Sequence, residues 1–407
     1  MLEGKVFYRG EFIDAGIEIE NGRIKRIGKL VKGKKVHGVI LPAAIDVHVH
    51  FRDFDEKHKE TIATGSLSAL HGGVCLVVDQ PNTKPRVECE EAYFRRMEIA
   101  EKNSYVDYSL NVALTNKNAE RIKEIVEKIA EKYFLPGIGE VFLEHESDEL
   151  RISYETLSKV AKTWKICVHA EDANLVRKGS PNFLYRPKEA EITAVKRCLE
   201  ISSFHFCHLS TREAVELVEK SDSSFEVTPH HLLLSVEDYA RLRDFVNVNP
   251  PLRERSDAEW LLKNFHRIKI LASDHAPHSE EEKREGSAGF PGVETMYPIF
   301  VRLAKLGIIE FKDLVEKIAT NPAKIFGFEG YGEIEVGNFA NFAVFDLKKV
   351  KKIRARDLHS KCGWTPYEGF EAIFPEQVYI RGEEVLESQV KLGKTLSNFG
   401  SREEESG

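Results

Sequence analysis

LPAAIDVHVHFRD, residues Leu41 to Asp53, begins as an apolar run of the kind that forms a buried strand and ends in two histidines one residue apart. Side chains at i and i+2 of a strand share a face, so His48 and His50 aim at one point, with Arg52 on the same parity just beyond. Two imidazoles converging at a strand end are the start of a metal site. A guanidinium beside them is suited to holding a carboxylate through two parallel hydrogen bonds. The bland alternative is that two histidines and an arginine cap a strand by chance. The rest of the chain weighs against it.

From Val39 onward, apolar runs alternate with helical stretches. Eight runs read as strands: Val39 to His50, Val74 to Asp79, Val106 to Leu114, Gly137 to Leu143, Trp164 to His169, Phe204 to His208, Phe225 to Thr228 and Ile268 to Ser273. Amphipathic segments such as Glu88 to Lys102, Ala119 to Lys132 and Glu189 to Ile201 fill the gaps. Eight strand–helix units predict an α/β fold, a (β/α)8 TIM-like barrel; a doubly wound open sheet is the alternative. The barrel is preferred because the polar residues fall at the ends of the runs. His48 and His50 follow the first, Asp79, Pro81 and Asn82 the second, His169 the fifth, His208 the sixth and Asp274 the eighth. In a barrel those ends share one mouth, where catalysis occurs.

The two chain ends read differently. Lys5 to Tyr8, Gly16 to Glu20 and Arg23 to Gly28 alternate like strands, with Asn21-Gly22 as a hairpin turn. They are too few to make a stable sheet alone. Phe342 to Asp346 and Gln377 to Arg381 are further strands, so a small β domain built from both chain ends is expected. The expected division is 1–43 and 331–390 for that domain, 44–330 for the barrel, and 391–407 as a polar tail whose final SREEESG is disordered.

Bulk properties narrow the function. A net charge of −7 over 407 residues leaves no basic footprint for nucleic acid. None of the six cysteines forms a C-x-x-C pair; Cys75, Cys167 and Cys207 lie in apolar strand-like runs, where a reduced buried thiol is expected. No signal peptide opens the chain and no apolar run approaches the roughly 20 residues of a membrane span, so a reducing cytoplasm is the expected location.

Four histidines (His48, His50, His169, His208) and Asp274 suit Zn²⁺ or a similar divalent ion. Five ligands exceed what one open tetrahedral site needs, so two ions are expected to share them with a bridging carboxylate. Such a pair activates one water and polarises a scissile carbonyl. Asp274 is placed to be both a ligand and the group that carries the proton from water to the leaving nitrogen.

The motifs DVHVHFR, PNTKP, VHAE, HLST, VNPPLR, SDHAPH and GFPGVET, in this order through the barrel, resemble the dihydroorotases of the amidohydrolase superfamily. The resemblance continues through Asn321 to Gly327, Gly337 to Asp346 and Ser360 to Gly369. The H-x-H is common to the superfamily; Arg52, the P-N-T and the N-P-P-L-R together are much more specific. The resemblance implies interconversion of N-carbamoyl-L-aspartate and dihydroorotate in pyrimidine synthesis. It implies His48 and His50 on the more buried metal, His169 and His208 on the other, and Asp274 as ligand and acid/base. It further implies Arg52, Asn82 and His278 on the substrate carboxylate, and Asn249 with the backbone around Ala288 to Pro291 on the ring amide. Many relatives bridge their metals with a carbamylated lysine on the fourth strand. Here no lysine lies between Lys132 and Lys159, and aligning GIGEVFL puts Glu140 in its place, with Glu144 and Asp148 as rivals. Relatives often follow the arginine with Pro-Gly, where this chain has Asp53-Phe54-Asp55.

An allantoinase or hydantoinase-like enzyme is the nearby alternative, and it does not need Arg52 in this position. A non-catalytic homologue is the distant one, and it would be expected to have lost metal ligands. Association with aspartate carbamoyltransferase, which acts in a consecutive step, and self-assembly into a homo-oligomer are compatible with either enzyme. His145 reads as a loop histidine and His205 as packing. His275 reads as turned away by alternation, and His230 and His231 are left out of the ligand set.

Overall fold

The computed structural model describes residues 1–397; the expected disorder of the final SREEESG falls outside the described residues. Four strands open the chain: β1 (Leu2–Tyr8), β2 (Glu11–Glu20), β3 (Arg23–Gly28) and β4 (Lys34–Pro42). Eight more follow: β5 (Ala44–Val49), β6 (Val74–Asp79), β7 (Asp107–Leu110), β8 (Ile138–Phe142), β9 (Ile166–His169), β10 (His205–Phe206), β11 (Ser224–Val227) and β12 (Ile270–Leu271). These eight pair in parallel, β5 to β7 in one run and β8 to β12 in another. Parallel bridges Val112–Ile138 and Val49–His275 join the two runs into a closed (β/α)8 barrel.

The run Val39 to His50, expected as one strand, is two. Ile40 and Leu41 in β4 pair antiparallel with Val344 and Ala343 of β13 (Phe342–Phe345), while Ala44 onward pairs with β6. The chain crosses from one sheet to the other at Ala43, whose N–H donates to the Asn341 carbonyl. Apolar character runs unbroken through the crossing because both sheets bury their residues there.

β14 (Lys351–Lys352) and β15 (Glu371–Ala372) form a separate pair, and β16 (Gln377–Ile380) and β17 (Glu383–Glu384) complete the first sheet. That sheet has seven strands in the order β17-β16-β13-β4-β1-β2-β3, so both chain ends contribute to it. Its two faces follow the period of two: Val36, Ile40, Phe342 and Val344 pack in a core of their own, and Val39, Leu41, Ala343 and Phe345 join the barrel's core. Residues 391–397 lie along the barrel: Tyr108 N–H donates to the Lys394 carbonyl at 2.9 Å, and Leu396 is buried.

All six cysteines are free thiols. No helix among the described residues is long and apolar enough to cross a membrane.

Candidate metal centre

The strand ends gather six buried side chains at the barrel mouth: His48 from β5, His50 just beyond it, Glu140 from β8, His169 from β9, His208 beyond β10 and Asp274 beyond β12. The strand that carries Glu140 depends on Gly139, at φ +141, where a Cβ would meet the Cys167 carbonyl oxygen at 2.5 Å. His208 and Asp274 also adopt positive φ, 35° and 45°. For side chains of this size such backbone costs about 1–3 kcal/mol each, and it is characteristic of functional sites.

Glu140 lies between two pairs of imidazoles. Its Oε1 is 2.9 Å from His169 Nδ1 and 2.6 Å from His208 Nε2. Its Oε2 is 3.5 Å from His48 Nε2 and 3.8 Å from His50 Nε2. Asp274 Oδ1 stands 3.2 Å from His50 Nε2 and 3.6 Å from His48 Nε2. Burial opposes ionisation of Glu140, yet the hydrogen bonds to His169 and His208 outweigh it and hold its carboxyl well below the ordinary range. Asp274 is likewise held down against burial, by its hydrogen bond to His50 and the charge of His48.

Three of the histidines have their far nitrogens tied. His48 Nδ1 bonds Glu226 Oε1, and Glu226 Oε2 bonds His205 Nε2 at 3.2 Å. His50 Nδ1 bonds Asn82 Oδ1 at 2.9 Å. His169 Nε2 bonds Glu171 Oε2 at 2.7 Å, which Arg186 pairs at 2.6 Å. Such partners would keep a proton on the far nitrogen once a metal ion took the place of the one facing the carboxylates, leaving the facing nitrogen as a lone-pair donor. For His48 that nitrogen is Nε2, which is buried, has no hydrogen-bond partner and faces two carboxylates. A nitrogen set against two carboxylate oxygens needs a positive centre between them, either a proton or a metal ion. His48–His50–Asp274 and His48–Glu140–His208 both bring ligand atoms within metal-binding distance of one another. The donor set of imidazoles and carboxylates therefore fits Zn²⁺ or a similar divalent ion.

The cluster opens into a cavity of about 500 Å³ that also reaches Arg52, Asn82, Asn249, His278 and the Gly286–Gly289 loop. Arg52 is no longer on a strand, because β5 ends at Val49 and Arg52, Asp53 and Phe54 all have positive φ. Asp79 accepts from Phe51 N–H at 2.9 Å and pairs with the buried Arg96, which donates to the Arg52 carbonyl at 2.7 Å. Asp53 turns its carboxylate onto the Phe54 and Ile62 N–H groups, which accounts for a loop built without Pro-Gly. Arg52 Nη2 meets His278 Nε2 at 3.1 Å, and burial followed by that guanidinium pushes the His278 imidazole down to about 3.

The other sequence candidates fall elsewhere. Glu144 pairs with Arg186, and Asp148 is exposed beside Arg151. His145 is a loop residue at the cavity wall. His275 faces Glu60 at 3.5 Å. His230 and His231 sit in a short helix, Pro229–Leu233, rather than at a strand end. His205, expected as packing, packs on Phe326 and also belongs to the polar chain behind His48. Glu226, Glu171, Arg186, Arg96 and Asn182 were not foreseen. The one sequence signal for Glu226 is a carboxylate inside an otherwise apolar strand run.

Residues 39–385 match the model of the amidohydrolase family. A dihydroorotase of Archaeoglobus fulgidus is 66% identical over 97% of this chain and 99% of its own length. A dihydroorotase of Pyrococcus abyssi is 38% identical over 97% of this chain and 96% of its own. Among solved structures, the L-hydantoinase of Arthrobacter aurescens superposes with a TM-score of 0.87 over 97% of this chain and 96% of its own, at 22% identity, a likeness of fold. With its barrel closed, its metal-fitting cluster at the mouth and these relatives along its whole length, the chain belongs to the amidohydrolase family, a family of metal-dependent hydrolases.

Proposed function

We propose that the protein is a dihydroorotase, which reversibly hydrolyses (S)-dihydroorotate to N-carbamoyl-L-aspartate in pyrimidine synthesis. The observation that carries the reading is the neighbourhood of Arg52 and Asn82 to the Glu140 cluster in one cavity: a fixed guanidinium and an amide beside metal-fitting histidines suit a cyclic amide that bears a carboxylate. The full-length likeness to the Archaeoglobus fulgidus dihydroorotase supports it.

In this reading His48, His50, Glu140, His169, His208 and Asp274 would hold two Zn²⁺ ions, Glu140 serving both. When bound, the ions lower the pKa of a water and polarise the scissile carbonyl. The chain's own residues do the rest. Arg52, Asn82 and His278 bind the carboxylate. Asn82 has its Oδ1 on His50, so its NH₂ is the edge free for the substrate. Asn249 and the backbone around Ala288 to Pro291 meet the ring amide. Asp274, held ionised, accepts the proton of the attacking water and returns it to the amide nitrogen as the C–N bond breaks. The cytoplasm, association with aspartate carbamoyltransferase and self-assembly belong to the same proposal, and size-exclusion chromatography with and without that enzyme tests the last two.

The test is turnover by the zinc-loaded protein with dihydroorotate, hydantoin and allantoin side by side. Dihydroorotate is expected to be preferred by at least about a hundredfold in kcat/KM, the worth of a charge-assisted carboxylate contact. A preference for a ring without the carboxylate makes the protein a hydantoinase-like or allantoinase-like enzyme instead.

A further inference from the structure

Asn182 follows the fifth barrel strand on a loop at the cavity wall and is 7% exposed. Its Nδ2 donates to two acceptors, Val248 O at 2.7 Å and Asn249 Oδ1 at 2.7 Å. The first is a backbone carbonyl, which can only accept, so the Asn182 amide cannot turn over without losing that bond. The loop beneath it is equally fixed. Asn182 N–H donates to Asn247 Oδ1 at 2.9 Å, and Asn247 Nδ2 donates to Ser180 Oγ and Gly286 O, each at 3.1 Å. The buried Lys283 donates to Asn247 O, Ser287 O and Gly289 O at 2.6, 2.7 and 3.1 Å. Three loops of the mouth are thereby clamped together.

A primary amide has one accepting edge and one donating edge. Asn182 holds the accepting edge of Asn249 and turns it away from the cavity's other groups, which leaves the Nδ2 edge as the one presented beyond it. We propose that Asn182 is a positioning residue that makes Asn249 a hydrogen-bond donor toward the substrate, so that the group Asn249 recognises is a carbonyl oxygen of the ureide and not an N–H. The inference rests on the dihydroorotase reading and deepens it: substrate specificity at this edge is set by an orientation fixed two residues deep, from Val248 O through Asn182 to Asn249.

The test is a double-mutant cycle on zinc-loaded enzyme with dihydroorotate, using Asn182→Leu, Asn249→Ala and the double variant. Each single substitution is expected to raise KM about tenfold while kcat stays within about threefold, as loss of one well-made hydrogen bond does. The double variant is expected to match Asn249→Ala alone, because both remove one interaction. Effects that multiply to about a hundredfold overturn the proposal. So does a folded Asn182→Leu variant with unchanged KM. Asn182→Asp keeps the side chain's shape and reads the same point should the leucine variant fold poorly. Its carboxylate can only accept, which turns the Asn249 amide over, and KM is expected to rise above that of Asn182→Leu; an unchanged KM overturns the proposal. A wild-type protein that hydrolyses hydantoin but not dihydroorotate overturns the substrate reading instead, and the same cycle run on hydantoin then judges Asn182 by itself.

Discussion

Glu140 Oε1 lies 2.9 Å from His169 Nδ1, on the opposite edge of the carboxylate from the oxygen that faces His48 and His50. One glutamate thus offers one oxygen to each pair of imidazoles, the disposition its proposed bridging role calls for. Glu140→Ala is expected to lower the metal content from two ions per chain to one or none, and to lower kcat by at least about a hundredfold, the upper range for disrupted metal sites. Elemental analysis after dialysis, read with the turnover rate, checks both. One ion in wild type and variant alike, with activity intact, would make Glu140 a structural residue.

Under the proposed function, Arg52 binds substrate without touching the metal ligands. Its side chain touches Pro277 O and His278 rather than any of the six clustered side chains. Arg52→Ala is expected to raise KM for dihydroorotate about a hundredfold or more, as loss of a buried charge-assisted contact does. Metal content is expected to stay at the wild-type value. If the variant kept wild-type KM, the carboxylate would have to sit elsewhere in the cavity.

Much of this arrangement was legible because it lies at strand ends. The H-x-H of His48 and His50, the single polar residues after the fifth, sixth and eighth runs, and the missing lysine opposite Glu140 are local signals. The small sheet's use of both chain ends was legible from alternation. What was not legible depends on contacts far apart in sequence. The crossing at Ala43 hides inside one apolar run because both sheets bury it. His205 packs on Phe326 as expected, but its bond to Glu226, and through it to His48, has no signal in the sequence, because β10 covers only His205–Phe206 and the partner lies 21 residues on. Glu226 and Arg186 act on histidines 178 and 17 residues away; the odd carboxylate in an apolar run marks Glu226 but does not name its partner, and nothing around Arg186 marks it.

Glu226 is the orienting partner of His48. Its Oε1 bonds His48 Nδ1 and its Oε2 bonds His205 Nε2 at 3.2 Å. An ionised Glu226 keeps the His48 proton on Nδ1 and frees Nε2 for a metal. Glu226→Gln keeps shape and can leave either ring nitrogen protonated. It is expected to weaken zinc affinity about ten- to a hundredfold, with a cooperative unfolding transition retained. Competition with a chromophoric chelator measures this without reference to turnover. An unchanged affinity would reduce Glu226 to a packing role.

His71 makes stability depend on pH below its ordinary range. Its ring stacks on His359 at 3.6 Å, and His359 bonds Glu294 at 2.8 Å. Burial first, and then the neighbouring His359 charge, push the His71 imidazole down to about 4 from its ordinary 6.5. Between those two values the unfolded chain binds a proton that the folded protein refuses, so the unfolded state holds more protons and stability rises with pH. On acidification the contribution is lost progressively from pH 6.5 and is gone below about pH 4. The half-buried position screens the effect, leaving on the order of 1–2 kcal/mol. His71→Phe retains the stack and removes the titration. Urea unfolding of both proteins across pH 7.5 to 4 is expected to give curves that diverge below 6.5, with wild type falling faster. Differences arising at the metal centre cancel, because both proteins carry it. Parallel curves would mean that His71 keeps its ordinary protonation in the fold.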